Sequence, residues 1–143
     1  VLGSDWKEID RNVMGEWYVS LILDAGNLPA TRLDETTAQK AAAGWGGDTY
    51  VFYTDSASSS FSMVWQSLWE TSKDTEEFWA ASMDYGNRRW GTAQTNTDAG
   101  ITWQTNDAGW VTMRRAGNQV LWMMTPSSSI QSELLTRLGT FGS

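Results

Sequence analysis

Phe61-Ser62-Met63-Val64-Trp65-Gln66-Ser67-Leu68-Trp69-Glu70 alternates, with Phe61, Met63, Trp65, Ser67 and Trp69 on one side and Val64 and Leu68 on the other. Successive side chains of an extended segment point to opposite faces, so apolar residues on both sides describe a strand buried partly on both faces. Such a strand belongs in a sheet's interior. Upstream, Thr49 to Thr54 is a second run of aromatic and β-branched residues, and the polar stretch Asp55 to Ser60 between the two supplies a hairpin turn.

The flanking segments carry a helical period instead. From Arg11 to Ala25 the residues Met14, Trp17, Tyr18, Leu21 and Ile22 recur at three- and four-residue steps, which predicts an amphipathic helix packed through that stripe and stopped at Gly26-Asn27. Asp34 is placed to cap an alanine-rich helix through Ala43, ended by Gly44. Beyond the hairpin, Thr71-Ser72 followed by Asp74, Glu76 and Glu77 opens a helix expected to reach about Tyr85 and to end at Gly86-Asn87.

Four short strands follow, near Gly91 to Thr95, Ile101 to Thr105, Trp110 to Arg115 and Gln119 to Thr125. Asp98-Ala99-Gly100, Asp107-Ala108-Gly109 and Gly117-Asn118 punctuate them as turns. After Pro126 and the serines 127–129, Ile130, Leu134, Leu135 and Leu138 form the stripe of a last, core-packing helix. The expected order is ααββαββββα. Its class is α+β, a twisted, mainly antiparallel sheet of about five or six strands with helices packed on it.

At 143 residues, with 41% hydrophobic and 19% charged side chains, residues 1–143 read as a single domain able to bury its own core. A net charge of -7 and only 10 basic residues argue against nucleic acid as a partner. No run approaches the roughly 20 apolar residues of a spanning helix, so no membrane insertion is expected. Cysteine and histidine are both absent, which removes thiol nucleophiles, disulfides, Cys/His zinc sites and imidazole acid–base schemes. No metal, cofactor or enzymatic activity is expected of the domain. The chain begins with Val1 and shows no signal peptide, and its cysteine-free, Ser-, Thr- and Gly-rich composition suits an extracytoplasmic protein. It is expected to be an excerpt from the C-terminal part of a larger chain whose targeting segment lies upstream.

Several local patterns occur together: Met14-Gly15-Glu16-Trp17, Ala42-Ala43-Gly44-Trp45-Gly46-Gly47-Asp48-Thr49-Tyr50, Val64-Trp65-Gln66-Ser67-Leu68-Trp69-Glu70-Thr71 and Glu77-Phe78. Over roughly Trp6 to Leu138 the chain resembles the C-terminal region of large uncharacterised bacterial and haloarchaeal secreted proteins, whose upstream region looks like a zinc-dependent peptidase with a His-Glu-x-x-His helix. The resemblance implies a tail domain of an exported, metallopeptidase-associated protein. It carries no zinc ligand onto this chain, which has no histidine to receive one.

Ten tryptophans invite two readings, since an indole either fills a core or stacks on a ligand. Trp17, Trp65, Trp69 and Trp122 sit in helical or alternating contexts that packing explains. Trp45, Trp90 and Trp110 lie beside glycines or at strand edges and are the candidate exposed aromatics. Trp45, Gly46, Gly47 and Asp48 form either a binding turn or, more simply, a structural helix-to-strand corner. Asp48 and Glu70 are the one acidic pair placed to approach each other as a carboxylate-based hydrolase would require. The function expected is a noncatalytic accessory or interaction domain, its partners being the upstream domain of the same chain and a cell-surface polymer or peptide. The alternative is a carbohydrate- or peptide-binding module using exposed tryptophans.

Overall fold

The computed structural model describes residues 2–26, 28–57, 59–98, 100–138 and 141. Asn27, Ser58 and Ala99, expected in a helix stop and two turns, lie outside the described residues. The class is α+β. An N-terminal strand β1 (Trp6–Asn12) leads into helices α1 (Gly15–Asp24) and α2 (Glu35–Ala42), with a single 3₁₀ turn at Pro29–Thr31 between them. Strands β2 (Trp45–Asp55) and β3 (Phe61–Trp69) form the hairpin, and α3 (Ser72–Trp90) follows. The chain then runs through β4 (Thr95–Asn96), β5 (Gly100–Thr105), β6 (Gly109–Ala116) and β7 (Gln119–Thr125) into α4 (Ser128–Leu138).

All neighbouring strands are antiparallel, in one seven-stranded sheet of order β1-β2-β3-β7-β6-β5-β4. The count is seven rather than five or six, and the chain order opens on a strand. β1 carries no alternation to read, because all of it beyond the half-buried Trp6 is exposed. Pairing along β2, from Trp6 opposite Asp55 to Asn12 opposite Tyr50, holds it, and a register slip between Glu8 and Asp10 leaves Ile9 unpaired. Arg11 and Asn12 therefore belong to this strand, and α1 begins only at Gly15.

The third helix also differs from expectation. It continues through Gly86 and Asn87 to Trp90, and Gly91, at φ 81°, ends it with its amide donating to the Asn87 carbonyl at 3.0 Å. Gly86 is a packing glycine here, since a Cβ at that position would lie 2.5 Å from the Trp103 ring. The strand expected at Gly91 to Thr95 shrinks accordingly to Thr95–Asn96.

Helices α1, α2 and α3 cover one face of the sheet and α4 the other. On the first face the odd-numbered Trp65 and Trp69 of β3 meet Phe78 of α3, and Trp103 and Trp122 extend the cluster. The Trp69 and Phe78 rings stack with centroids 4.4 Å apart. On the second face the alternate positions Val51, Val64, Leu121 and Met123 form a smaller core closed by Leu134 of α4. Gln131 of α4 adds a hydrogen bond to the Thr112 hydroxyl of β6.

Candidate functional site

The glycine-rich corner is packed into the fold, with the buried Trp45 indole N–H left without a partner among the described residues. Gly44, at φ 79°, leaves no room for a Cβ beside Asp74, and its carbonyl accepts from the Glu70 amide at 2.8 Å. Trp45 is half-buried against the main core opposite Trp69. The register slips between Trp45 and Gly47, and a Cβ on Gly46 would press to 3.2 Å from the Leu68 carbonyl oxygen. Asp48 accepts the Met14 backbone amide on Oδ1 and the Trp65 indole N–H on Oδ2, each at 2.9 Å. Its carboxylate thus holds the start of α1 to the centre of the sheet. Asp48 lies opposite Ser67, whereas Glu70 is past the end of β3 and does not line the shallow cleft beside Asp48.

Trp90 and Trp110 are half-buried rather than exposed. The Trp90 ring packs 5.6 Å from Trp103 and 6.0 Å from Trp122, with the Arg89 guanidinium above it. Trp110 projects from β6 on the α4 side, opposite Gln104 and Thr125. The exposed tryptophan is Trp17, at 66%, beside Tyr18 at 55%. Their rings meet edge-on at 5.2 Å. The expected stripe of α1 is corrected by the packing, in which Val19 and Leu23 are buried and Leu21 and Ile22 only partly so. Apolar residues occupy 17, 18, 19, 21, 22 and 23, so two helical frames fit the pattern equally well, about one residue's rotation apart. The i, i+4 pair Val19 and Leu23 was the signal available for the frame that the fold uses.

Trp17 stands at a groove of about 350 Å³ between α1 and α2. The α1 wall is two adjacent rows, Glu16, Ser20 and Asp24 at four-residue steps and Trp17 with Leu21. Glu35, Gln39 and Ala42 form the α2 wall. Buried Ala38, Ala41 and Ala42 give α2 a small-residue face on which it packs closely. Among the described residues none of Glu16, Asp24 and Glu35 pairs with a Lys or Arg, and Lys40 on α2 turns away to Glu77 at 3.1 Å. Gln39 donates its amide to Glu35 at 2.9 Å, and the Ser20 hydroxyl donates to the Trp17 carbonyl at 3.1 Å. Asp24 Oδ1 is closed off from solvent with no hydrogen-bond partner among the described residues.

A larger cleft of about 450 Å³ lies at the hairpin-turn end of the sheet, floored by Phe52, Met63 and Met124 and rimmed by Ser59, Ser60, Asn106 and Asp107. Its acid is already employed. Asp107 accepts the Ala108 amide at 2.8 Å, and a hydrogen bond from the Thr105 hydroxyl holds its carboxyl below the usual range. The α1–α2 groove is the better candidate site because its charges remain unneutralised and an indole stands open above them.

Among the described residues no three His, Cys, Asp or Glu side chains gather as a metal site, and no helix is long and apolar enough to cross a membrane. No curated protein and no solved structure matches the chain. Residues 4–135 match DUF8575, a domain of unknown function, and the chain, whose sheet, corner and groove all lie within that span, belongs to this family.

Proposed function

We propose that this domain is a noncatalytic interaction module whose recognition surface is the α1–α2 groove with Trp17 at its lip. The observation that carries the reading is the 66% exposure of Trp17 in a chain that packs its other indoles at least partly away. Leaving a large side chain in water forgoes roughly 2 kcal/mol or more of burial. A rigid aromatic ring beside unpaired polar groups is what a ligand-binding surface requires. The wider setting proposed is an accessory domain of an extracytoplasmic protein, following a zinc-peptidase-like region in the same chain. Its support is the resemblance carried by Ala42 to Tyr50 and Val64 to Thr71, together with a composition that lacks both histidine and cysteine.

Trp17→Ala is expected to leave the denaturant midpoint within about 0.5 kcal/mol of the parent, where Trp103→Ala loses about 3 to 5 kcal/mol. The ligand test is an NMR titration of the ¹⁵N-labelled domain with neutral oligosaccharides, neutral peptides and basic peptides. The Trp17 indole signal is assigned by its disappearance in Trp17→Phe. The reading requires at least one ligand class to shift that signal saturably. It fails if every response maps to the Met63 and Met124 cleft, or if none occurs.

A further inference from the structure

Resting on that reading, we infer that the occupant of the α1–α2 groove is an extended peptide segment bearing lysine or arginine side chains. Hydrogen-bond inventory is the first reason. The carboxylates of Glu16, Asp24 and Glu35 only accept, Gln39 directs its amide at Glu35, and the Ser20 hydroxyl is given to a main-chain carbonyl. Apart from the Trp17 indole N–H and the second amide hydrogen of Gln39, the lining offers acceptors. Sugar hydroxyls need acceptors and donors together, whereas ammonium and guanidinium groups only donate.

Charge and shape select the same occupant. Three carboxylates without basic partners among the described residues line one groove of a chain whose net charge is -7. They do not converge on a point as a metal ion would need. A cation seated along the groove also meets the Trp17 ring, whose face attracts positive charge. From Glu16 to Asp24 the helix rises about 12 Å at 1.5 Å per residue. An extended strand covers that distance in about four residues.

The titration that tests this uses three probes: a capped hexapeptide alternating lysine and serine, the same peptide with glutamine for lysine, and cellohexaose. The lysine peptide is expected to move the Trp17 indole signal and to weaken about tenfold against Glu16→Gln/Glu35→Gln. Glu70→Gln/Glu76→Gln removes the same charge from exposed acids outside the groove and should change the affinity less than about twofold, most of the surface field being screened at working salt. Unchanged melting confirms that both variants are folded. Equal weakening by the two double variants, or a lysine-peptide response that bypasses Trp17, overturns the inference. Movement of Trp17 by cellohexaose or the glutamine peptide but not by the lysine peptide also overturns it, while leaving the groove standing as the recognition surface. Silence at Trp17 with every probe removes both.

Discussion

Asp48 does from a neighbouring strand what the third residue of a capping box does within a helix. α1 has no side-chain cap of its own at Met14, and the Met14 amide is taken by Asp48 Oδ1 while Oδ2 takes the Trp65 indole. Removing this carboxylate strands two donors in a partly buried setting. Asp48→Ala is therefore expected to lose about 3 to 6 kcal/mol in urea unfolding, the range for two hydrogen bonds to a charged acceptor. Glu70→Ala should stay within about 0.5 kcal/mol, because among the described residues its exposed carboxylate makes no bond and only its backbone serves the corner. Similar losses in both variants would mean that the acids act as a pair after all. The sequence made this corner legible as glycines, a ring and an acid at a helix-to-strand exit. It did not make legible which donors the acid would meet, since Met14 and Trp65 are distant in the chain. Trp17 escaped for the opposite reason, because two adjacent helical frames matched one pattern.

Secondary-structure ends were readable wherever a side chain closes them locally. Asp34 accepts the Thr37 amide to cap α2, and Thr71 with Asp74 forms a reciprocal box at α3. β1 was invisible because an edge strand held by backbone pairing needs no hydrophobic period. Gly86 misled because a helix-stop glycine and a packing glycine look alike until Trp103 is placed against it. Glycine to alanine in a helix ordinarily gains about 1 kcal/mol, yet Gly86→Ala is expected to destabilise by about 1 to 3 kcal/mol through the clash with that ring. A variant more stable than the parent would show that the α3–β5 contact yields freely. The local closures also set the acid response. Donation from the Thr37 hydroxyl, the Ser59 amide and the Thr105 hydroxyl holds Asp34, Asp55 and Asp107, respectively, below their ordinary 3.8. On acidification the unfolded chain takes up these protons first. Their stabilisation is complete above about pH 5 and is lost as pH falls through the folded values. Urea midpoints should be flat from about pH 7 to about pH 5, drop below about pH 4, and drop less steeply in Asp34→Asn/Asp55→Asn/Asp107→Asn. An identical acid slope in the triple variant would remove these groups from the account.

The sheet is a partition between two cores of unequal size, and strands β3 and β7 serve both. Trp65 and Trp122 face the aromatic cluster under α1, α2 and α3, while Val64, Leu121 and Met123 face α4. The two-faced pattern of Phe61 to Glu70 announced this position for β3, and the stripe Ile130, Leu134, Leu135 and Leu138 announced a packed last helix. That α4 would take the face opposite the other three helices was not legible, because it follows from the placement of β7 between β3 and β6, a long-range pairing that no local signal fixes. The shared strands have an energetic consequence. Leu134 is fully buried, and Leu134→Ala is expected to destabilise the domain by about 2 to 5 kcal/mol. If β3 and β7 bind the two cores into one cooperative unit, that loss must be felt on the far side of the sheet. Near-ultraviolet circular dichroism reports the stacked Trp69, Phe78, Trp103 and Trp122 rings, none of which lies in the Leu134 core. Its melting midpoint should fall in Leu134→Ala by as much as the far-ultraviolet midpoint does, with the two curves still superimposed. An aromatic signal that melts at the parental temperature while helix content is lost earlier would show instead that α4 and its core detach as a separate unit, leaving the tryptophan layer and the α1–α2 groove intact.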